Sequence, residues 1–196
     1  MKPLPGIILA AGRSRRMGTA NKLLLKFHGK PLLQHVLDAA LASSLAPILL
    51  VLGPNHKTLL AQIKPGRVQP VINNKADTGY GSSLQAGLKA LTSPCPGAMF
   101  LLGDQPLVQT ATIEQLIQAF LLEPDRWVAP SYRGKRGNPV ITPAAWFATI
   151  HNLQGDTGPR KHLHDPAAKL KLIEVADNGV LLDVDTMDDF SRLKKL

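Results

Sequence analysis

Between Gly12 and Lys22 the chain gathers cationic side chains that could hold a phosphorylated ligand. Arg13, Arg15, Arg16 and Lys22 are set there among Gly12, Ser14, Met17 and Gly18. Guanidinium groups are planar forks that match phosphate oxygens, and a lysine adds a compact point charge. Glycines let a backbone approach a ligand closely, and successive N–H groups in such a loop can form an anion nest. Two familiar phosphate loops are excluded. Gly18 is not followed by Lys and Ser or Thr, as a Walker A loop requires, and the dinucleotide fingerprint is absent. A solvated turn would also contain glycine and arginine, so spacing alone leaves both readings open.

Two carboxylates have a setting that suits a metal. Asp104 follows the apolar run Gly97 to Leu102, within Gly103-Asp104-Gln105-Pro106. A charge at the end of a buried strand is costly unless it faces a cation or donors. Asp185 lies in Asp183-Val184-Asp185-Thr186 near the end of the chain. Magnesium takes one or two carboxylates plus substrate phosphates, which this pair could supply. Each also has a plain structural reading: a turn residue before proline for Asp104, the N-cap of the last helix for Asp185.

Periodicity shows which elements must position these groups. Ile7 to Ala11, Ile48 to Leu52, Val68 to Ile72, Gly97 to Leu102 and Trp127 to Pro130 read as strands. Leu32, Leu33, Val36, Leu37, Ala40 and Leu41 repeat at helical spacing after Pro31, which suits a first helical position. A short helix is expected over Lys57 to Ile63. Another opens at Gly79-Tyr80-Gly81-Ser82-Ser83, where the serines serve either as caps or as part of an anion site at the helix's positive end. Thr112 and Gln115 match a capping box for a helix bearing Ile113, Leu116, Ile117 and Phe120.

Further on, Arg133 to Asn138 reads as a basic turn and Pro143 to Ile150 as helical. Gln154 to Arg160 reads as a second glycine-bearing loop before a helix. Leu170 to Val175 and Val180 to Leu182 read as short strands, and a helix closes the chain. Such alternation implies a three-layer α/β/α fold with a mostly parallel sheet. Ligands of open α/β sheets bind beyond the carboxyl ends of the strands. The arginine loop, Asn73-Asn74, Gly103 to Pro106 and Asp183 to Asp185 should therefore converge.

The run L-A-A-G-x-S-x-R-M-G-x-x-x-K, from Leu9 to Lys22, resembles the signature loop of the MobA-like nucleotidyltransferases. Within them it is most similar to the molybdenum cofactor cytidylyltransferases, and the resemblance extends over about Ile7 to Phe190. It implies a fold of the nucleotide-diphospho-sugar transferase (Rossmann-like) type. The implied reaction transfers CMP from CTP to the terminal phosphate of a molybdopterin-type molybdenum cofactor and releases pyrophosphate. By this resemblance Leu9, Ala10, Ala11 and Gly12, with Arg13, Ser14, Arg16, Met17, Gly18 and Lys22, line the nucleotide site. Gly79 and Ser83 match a nucleotide-binding Gly-x-x-x-Ser-Leu element, and Asn73 is a further candidate for reading the base.

Gly-Asp-Gln-Pro resembles the family's metal-binding aspartate motif, and L-L-D-V-D-T at Leu181 to Thr186 is similar to its late L-L-D-I-D-T. Asp104 and Asp185 would then hold Mg²⁺, while Lys22 and Arg16 stabilise charge moving onto pyrophosphate. Gly137-Asn138-Pro139-Val140 and Gly155-Asp156-x-Gly158-x-Arg160 resemble acceptor-side elements. They nominate Asn138 and Pro139, then Gly155, Asp156, Gly158 and Arg160, for the second substrate. Met187 stands where the family often has proline, and Asn138 where it often has histidine. The related guanylyltransferases usually carry Leu-Ala-Gly-Gly, against Leu9-Ala10-Ala11-Gly12 here. A GTP-dependent guanylyltransferase, a sugar-phosphate nucleotidyltransferase and a non-enzymatic nucleotide-binding protein remain as alternatives. A molybdoenzyme or its chaperone would be a transient partner.

Composition bounds these readings. A chain of 196 residues can bury one good core, so a single domain over 1–196 is expected. No apolar run reaches the ~18 residues a membrane span needs, and the N-terminus does not read as a signal peptide. The one cysteine, Cys95, excludes an internal disulfide and fits a reducing cytoplasm. The formal charge of +9 invites a nucleic-acid reading. The nine aromatic residues (two Trp, two Tyr, five Phe) do not interleave with the basic clusters as a base-stacking platform requires. Anionic small molecules, with neither nucleic acid nor membrane, are the expected partners.

Overall fold

The computed structural model describes residues 3–12, 21–153, 155 and 169–195. Its strands are β1 (Gly6–Ala10), β2 (Lys26–Phe27), β3 (Lys30–Pro31), β4 (Ile48–Leu52), β5 (Gln69–Ile72), β6 (Gly97–Leu102), β7 (Val128–Tyr132), β8 (Lys135–Arg136), β9 (Val140–Pro143) and β10 (Lys171–Glu174). Its α-helices are α1 (Leu32–Leu41), α2 (His56–Leu60), α3 (Tyr80–Lys89), α4 (Thr110–Leu122), α5 (Phe147–His151) and α6 (Met187–Leu193). The main sheet has the order β10-β7-β9-β6-β1-β4-β5, with β8 paired to β7. Strands β6, β1, β4 and β5 run parallel, as do β10 and β7, while β9 runs antiparallel between β7 and β6.

Strands β1 and β4 are buried at every residue because both faces of the sheet are covered. Successive side chains point to opposite faces. Ile8 and Leu50 pack with α1 and α4 through Leu33, Leu37, Ile113 and Phe120. Ile7 and Leu49 pack on the other side with α3 and α5 through Leu84, Leu88 and Ile150. The result is the expected three-layer α/β/α fold. A smaller core joins α6 to the β2–β3 hairpin and the start of α1 through Phe27, Leu32, Val184, Phe190 and Leu193. It seats the chain's last acidic segment against the main body. No helix among the described residues is long and apolar enough to cross a membrane.

Several boundaries differ from expectation. Pro31 is the N-cap of α1, so the helix begins one residue later than expected, because Pro31 also pairs with Lys26 in the hairpin. Helix α2 ends at Leu60 instead of Ile63. Helix α4 begins at Thr110, so Thr112 lies inside it and forms no capping box. Its hydroxyl instead donates to Asp177, 2.7 Å away. The strand expected over Val180 to Leu182 is a 3-10 turn, Asn178–Leu181. Here Gly179 is seated so closely on the Leu107 backbone that an added Cβ would lie 2.4 Å from the carbonyl oxygen. The Val180 carbonyl accepts from Asn138 N–H instead of joining a ladder.

Helix α3 lies close to β1 and β4 because residue 87 has no side chain. A Cβ added to Gly87 would stand 2.4 Å from Ile7 Cγ2 and 3.2 Å from Val51 Cγ2. Gly87→Ala should therefore destabilise the fold by about 1–3 kcal/mol, overpacking outweighing the roughly 1 kcal/mol gained in helix propensity. Urea denaturation checks this, and an unchanged or raised midpoint would contradict it.

Candidate active site

Three chain segments meet at the carboxyl end of β1. The Gly103 N–H donates to the Leu9 carbonyl at 3.0 Å, so Asp104 leaves the sheet beside Ala10. Lys22 opens a short 3-10 turn, Lys22–Leu24, whose cap is Asn21, with Oδ1 accepting from Leu23 N–H. The third segment is 183–185, where the Val184 N–H donates to the Asp104 carbonyl at 3.1 Å. Lys22 Nζ lies 2.6 Å from Asp104 Oδ2 and 2.7 Å from Asp185 Oδ1. The lysine side chain is only 11% exposed, against 19% for Asp104 and 42% for Asp185. Burial alone would depress the lysine pKa. The charges and hydrogen bonds of Asp104, then Asp185, outweigh it and hold the ammonium above its ordinary value. Asp183 is pushed the other way for a carboxyl, upward, by desolvation first and then by the Asp185 and Asp104 charges.

Asp185 is not the cap of the last helix. Thr186 is, in a capping box with Asp189. Asp189 also accepts from the Asp185 N–H at 3.3 Å, which fixes the backbone while the Asp185 side chain turns to Lys22. The other end of this segment is held by Asp177, which is buried. Its carboxylate accepts from Gln109 N–H at 2.9 Å, Thr112 Oγ1 at 2.7 Å and Gly179 N–H at 2.9 Å. It caps α4 from a distant part of the chain, because Gln109 supplies no side-chain cap of its own.

A cleft of about 360 Å³ opens above Lys22 and Asp104, and Asp185, outside its lining, joins it through Lys22. Leu9, Ala10, Ala11 and Gly12 form one wall, with Lys22 and Asp104 at its foot. Facing them are Ala76 to Tyr80, then Ser83 and Gly155. Gly79, at φ 114° and ψ 176°, caps α3 in a conformation that strongly favours glycine. The serines do not cap that helix. Asn73 is buried outside the cleft lining, and its amide donates to Ser82 Oγ at 2.9 Å and Ser83 Oγ at 3.2 Å. It acts on the cleft by orienting Ser83. The wall contributed by Ala76, Asp77, Thr78 and Tyr80 was not legible from sequence; the isolated Gly79 ahead of a helical pattern was the available signal.

The acceptor-side candidates separate. The Gly155 carbonyl accepts from Gly81 N–H at 3.1 Å, which places this glycine against the first turn of α3 in the same cleft. Asn138 and Pro139 lie outside the cleft lining, where the chain enters β9. Because β9 runs antiparallel to β6, that end of β9 is the end where Asp104 leaves the sheet. Asn138 N–H donates to the Val180 carbonyl at 3.0 Å, linking this turn to the segment that carries Asp185. Arg13, Ser14, Arg16, Met17, Gly18, Asp156, Gly158 and Arg160 lie outside the described residues.

The arrangement suits a divalent cation. One oxygen from each of Asp104 and Asp185 already converges on a single positive charge, the Lys22 ammonium. Both are hard carboxylate donors of the kind Mg²⁺ takes. No group of three or more His, Cys, Asp or Glu able to hold a metal occurs among the described residues, so water and phosphate oxygens would complete the shell beside the two carboxylates.

A cleft at the carboxyl ends of a mostly parallel sheet, with Lys22 and Asp104 at its foot and Asp185 joined to it through Lys22, is the ligand site of an open α/β domain. Residues 6–171 match the MobA-like NTP transferase domain, and the chain belongs to that family. Purine catabolism protein PucB of Bacillus subtilis (strain 168) is 30% identical over 98% of this chain and 96% of its own. Nicotine blue oxidoreductase of Paenarthrobacter nicotinovorans is 29% identical, covering 96% and 95% respectively. Among solved structures, Rv0371c of Mycobacterium tuberculosis H37Rv in complex with manganese superposes with a TM-score of 0.85 at 28% identity, covering 99% of each chain. The fold is that of the nucleotide-diphospho-sugar transferases, as expected.

The Asp177 contacts predict a stability effect. Asp177→Ala would leave the buried donors of Thr112 and Gly179 without their acceptor. It should cost about 1–3 kcal/mol for each group not rescued by water. Urea denaturation measures the loss, and an unfolding midpoint equal to that of the parent would contradict it.

Proposed function

We propose that this protein is a cytidylyltransferase that transfers CMP from CTP to a molybdopterin-type molybdenum cofactor, releasing pyrophosphate. The observation that carries the reading is the convergence of Asp104 and Asp185 on one cation at the foot of the cleft. Mg²⁺ held there would neutralise phosphate charge and orient the α-phosphate with its leaving group. One relative is named an oxidoreductase. Paired carboxylates around a cation serve phosphate chemistry, so nucleotidyl transfer is favoured here over hydride transfer.

In this reading the chain's residues position and neutralise. The acceptor's phosphate oxygen attacks the α-phosphorus in line, the bond to the β-phosphate oxygen breaks, and pyrophosphate leaves. The acceptor phosphate is already ionised at neutral pH, so the reaction needs no general base. The described lining of the cleft contains neither histidine nor cysteine. Lys22, with Arg13 and Arg16, takes up charge on the departing pyrophosphate. Leu9 to Gly12 back the nucleotide, and Ser83, oriented by Asn73, faces the base. The acceptor lies across Asp104, between the Asn138-Pro139 turn and Gly155, and Asp156, Gly158 and Arg160 are the further acceptor-side candidates. The protein works as a single cytoplasmic domain and hands its product to a molybdoenzyme or that enzyme's chaperone. The manganese complex of a relative supports a divalent ion as part of this reading.

Asp104→Asn preserves shape and removes the charge. It should lower turnover by about 100-fold or more while leaving the fold intact. Pyrophosphate release with the molybdopterin-type acceptor and Mg²⁺ reads this out, and parental activity would refute the metal assignment.

Nucleotide choice is assigned to Ala11, which lines the cleft where the related guanylyltransferases usually carry glycine. CTP should be used in preference to GTP by about 10-fold or more, a discrimination by clash. Ala11→Gly should narrow that ratio. Tighter binding of GTP than CTP by the parent chain would move the assignment to a guanylyltransferase, and an unchanged ratio in the variant would place base selection elsewhere.

A further inference from the structure

We infer that Lys22 is a built-in stand-in for the metal. Its ammonium holds Asp104 and Asp185 together until a triphosphate draws it away, so that metal and nucleotide bind as a pair and metal alone is disfavoured. The inference rests on the reading that these two carboxylates are the metal ligands.

The geometry makes lysine and metal alternatives. Nζ makes one short, charge-assisted hydrogen bond to each carboxylate, at 2.6 and 2.7 Å. Oxygens of Mg²⁺ sit at about 2.0–2.1 Å. An ion bridging the same two oxygens would occupy the space the ammonium now fills. The two cations cannot share it, so binding is an exchange.

The local backbone allows this exchange without unfolding. Asn21 caps the turn that begins at Lys22, and Leu23 is buried in the main core. The main chain at 21–24 is therefore anchored, while the lysine side chain has four rotatable bonds. Its three N–H donors suit phosphate oxygens as well as carboxylates. The cleft leads directly from Lys22 to the wall that faces it. A triphosphate lying there offers the ammonium new acceptors, and the vacated carboxylates then need a cation. Metal and nucleotide are thereby positively coupled, and the coupling is reciprocal.

Mn²⁺ alone, titrated into the full-length protein by isothermal calorimetry, tests the exchange. Lys22→Met keeps the length of the side chain and removes its charge. The variant should bind Mn²⁺ about 10-fold more tightly than the parent in the absence of nucleotide, within the usual range of coupling. It should also bind metal-free CTP more weakly. Equal or weaker Mn²⁺ binding by the variant would overturn the inference.

A second measurement uses the parent chain. Amidination of lysines, followed by peptide mass spectrometry, should find Lys22 protected without metal and labelled several-fold faster at saturating Mn²⁺. Equal labelling in both conditions would overturn the inference as well. The outcomes also separate it from the functional reading. An active Asp104→Asn defeats the metal assignment itself. An inactive Asp104→Asn with no gain of Mn²⁺ affinity in Lys22→Met defeats the exchange alone.

Discussion

The contact between the Lys22 ammonium and two carboxylates joins three distant parts of the chain. Lys22 is 82 residues from Asp104 and 163 from Asp185. Desolvating such a triad is expensive, and mutual attraction repays that cost only with close geometry. Distances of 2.6 and 2.7 Å meet the requirement. Two carboxylates this close would repel each other without a positive charge between them. The site is therefore built around a cation whatever else occupies the cleft.

The fold supplies the rigidity. Parallel pairing of β1 with β6 delivers Asp104 beside the end of β1. Asp185 needs more help, because it lies on an irregular segment. Asp177 pins one end of that segment to α4, and Gly179 lies flush on Leu107. Val184 bonds to the Asp104 backbone, and the small core of Phe27, Leu32 and Phe190 holds α6 in place behind it. The same segment supports Asn138 through Val180. Asp104, Asp185 and the Asn138 turn thus share one structural support.

Much of this could be read from residue types. Strands β4 and β6 match their apolar runs residue for residue, because a strand buried on both faces is a continuous hydrophobic stretch with glycine or proline at its end. The cost of placing a carboxylate at the end of such a strand marked Asp104. Local pattern failed where a distant partner intervened. Thr112 and Gln115 have capping-box spacing, yet Asp177 caps α4 from 65 residues beyond Thr112. Val180 to Leu182 has the composition of a strand, but close packing of Gly179 imposes a turn. The direction of β9 was equally hidden, since alternation of strands and helices says nothing about an antiparallel insertion. Asn73 was legible as a polar residue at a strand end, though not as one committed to Ser82 and Ser83.

The most direct measurement is a crystal structure of the protein with Mn²⁺ and a non-hydrolysable CTP analogue, using anomalous scattering to locate the ion. The predicted result is a manganese peak within coordination distance of both Asp104 and Asp185, with Lys22 Nζ moved onto the phosphates. Manganese bound away from these carboxylates, with Lys22 still bridging them in the nucleotide complex, would contradict it.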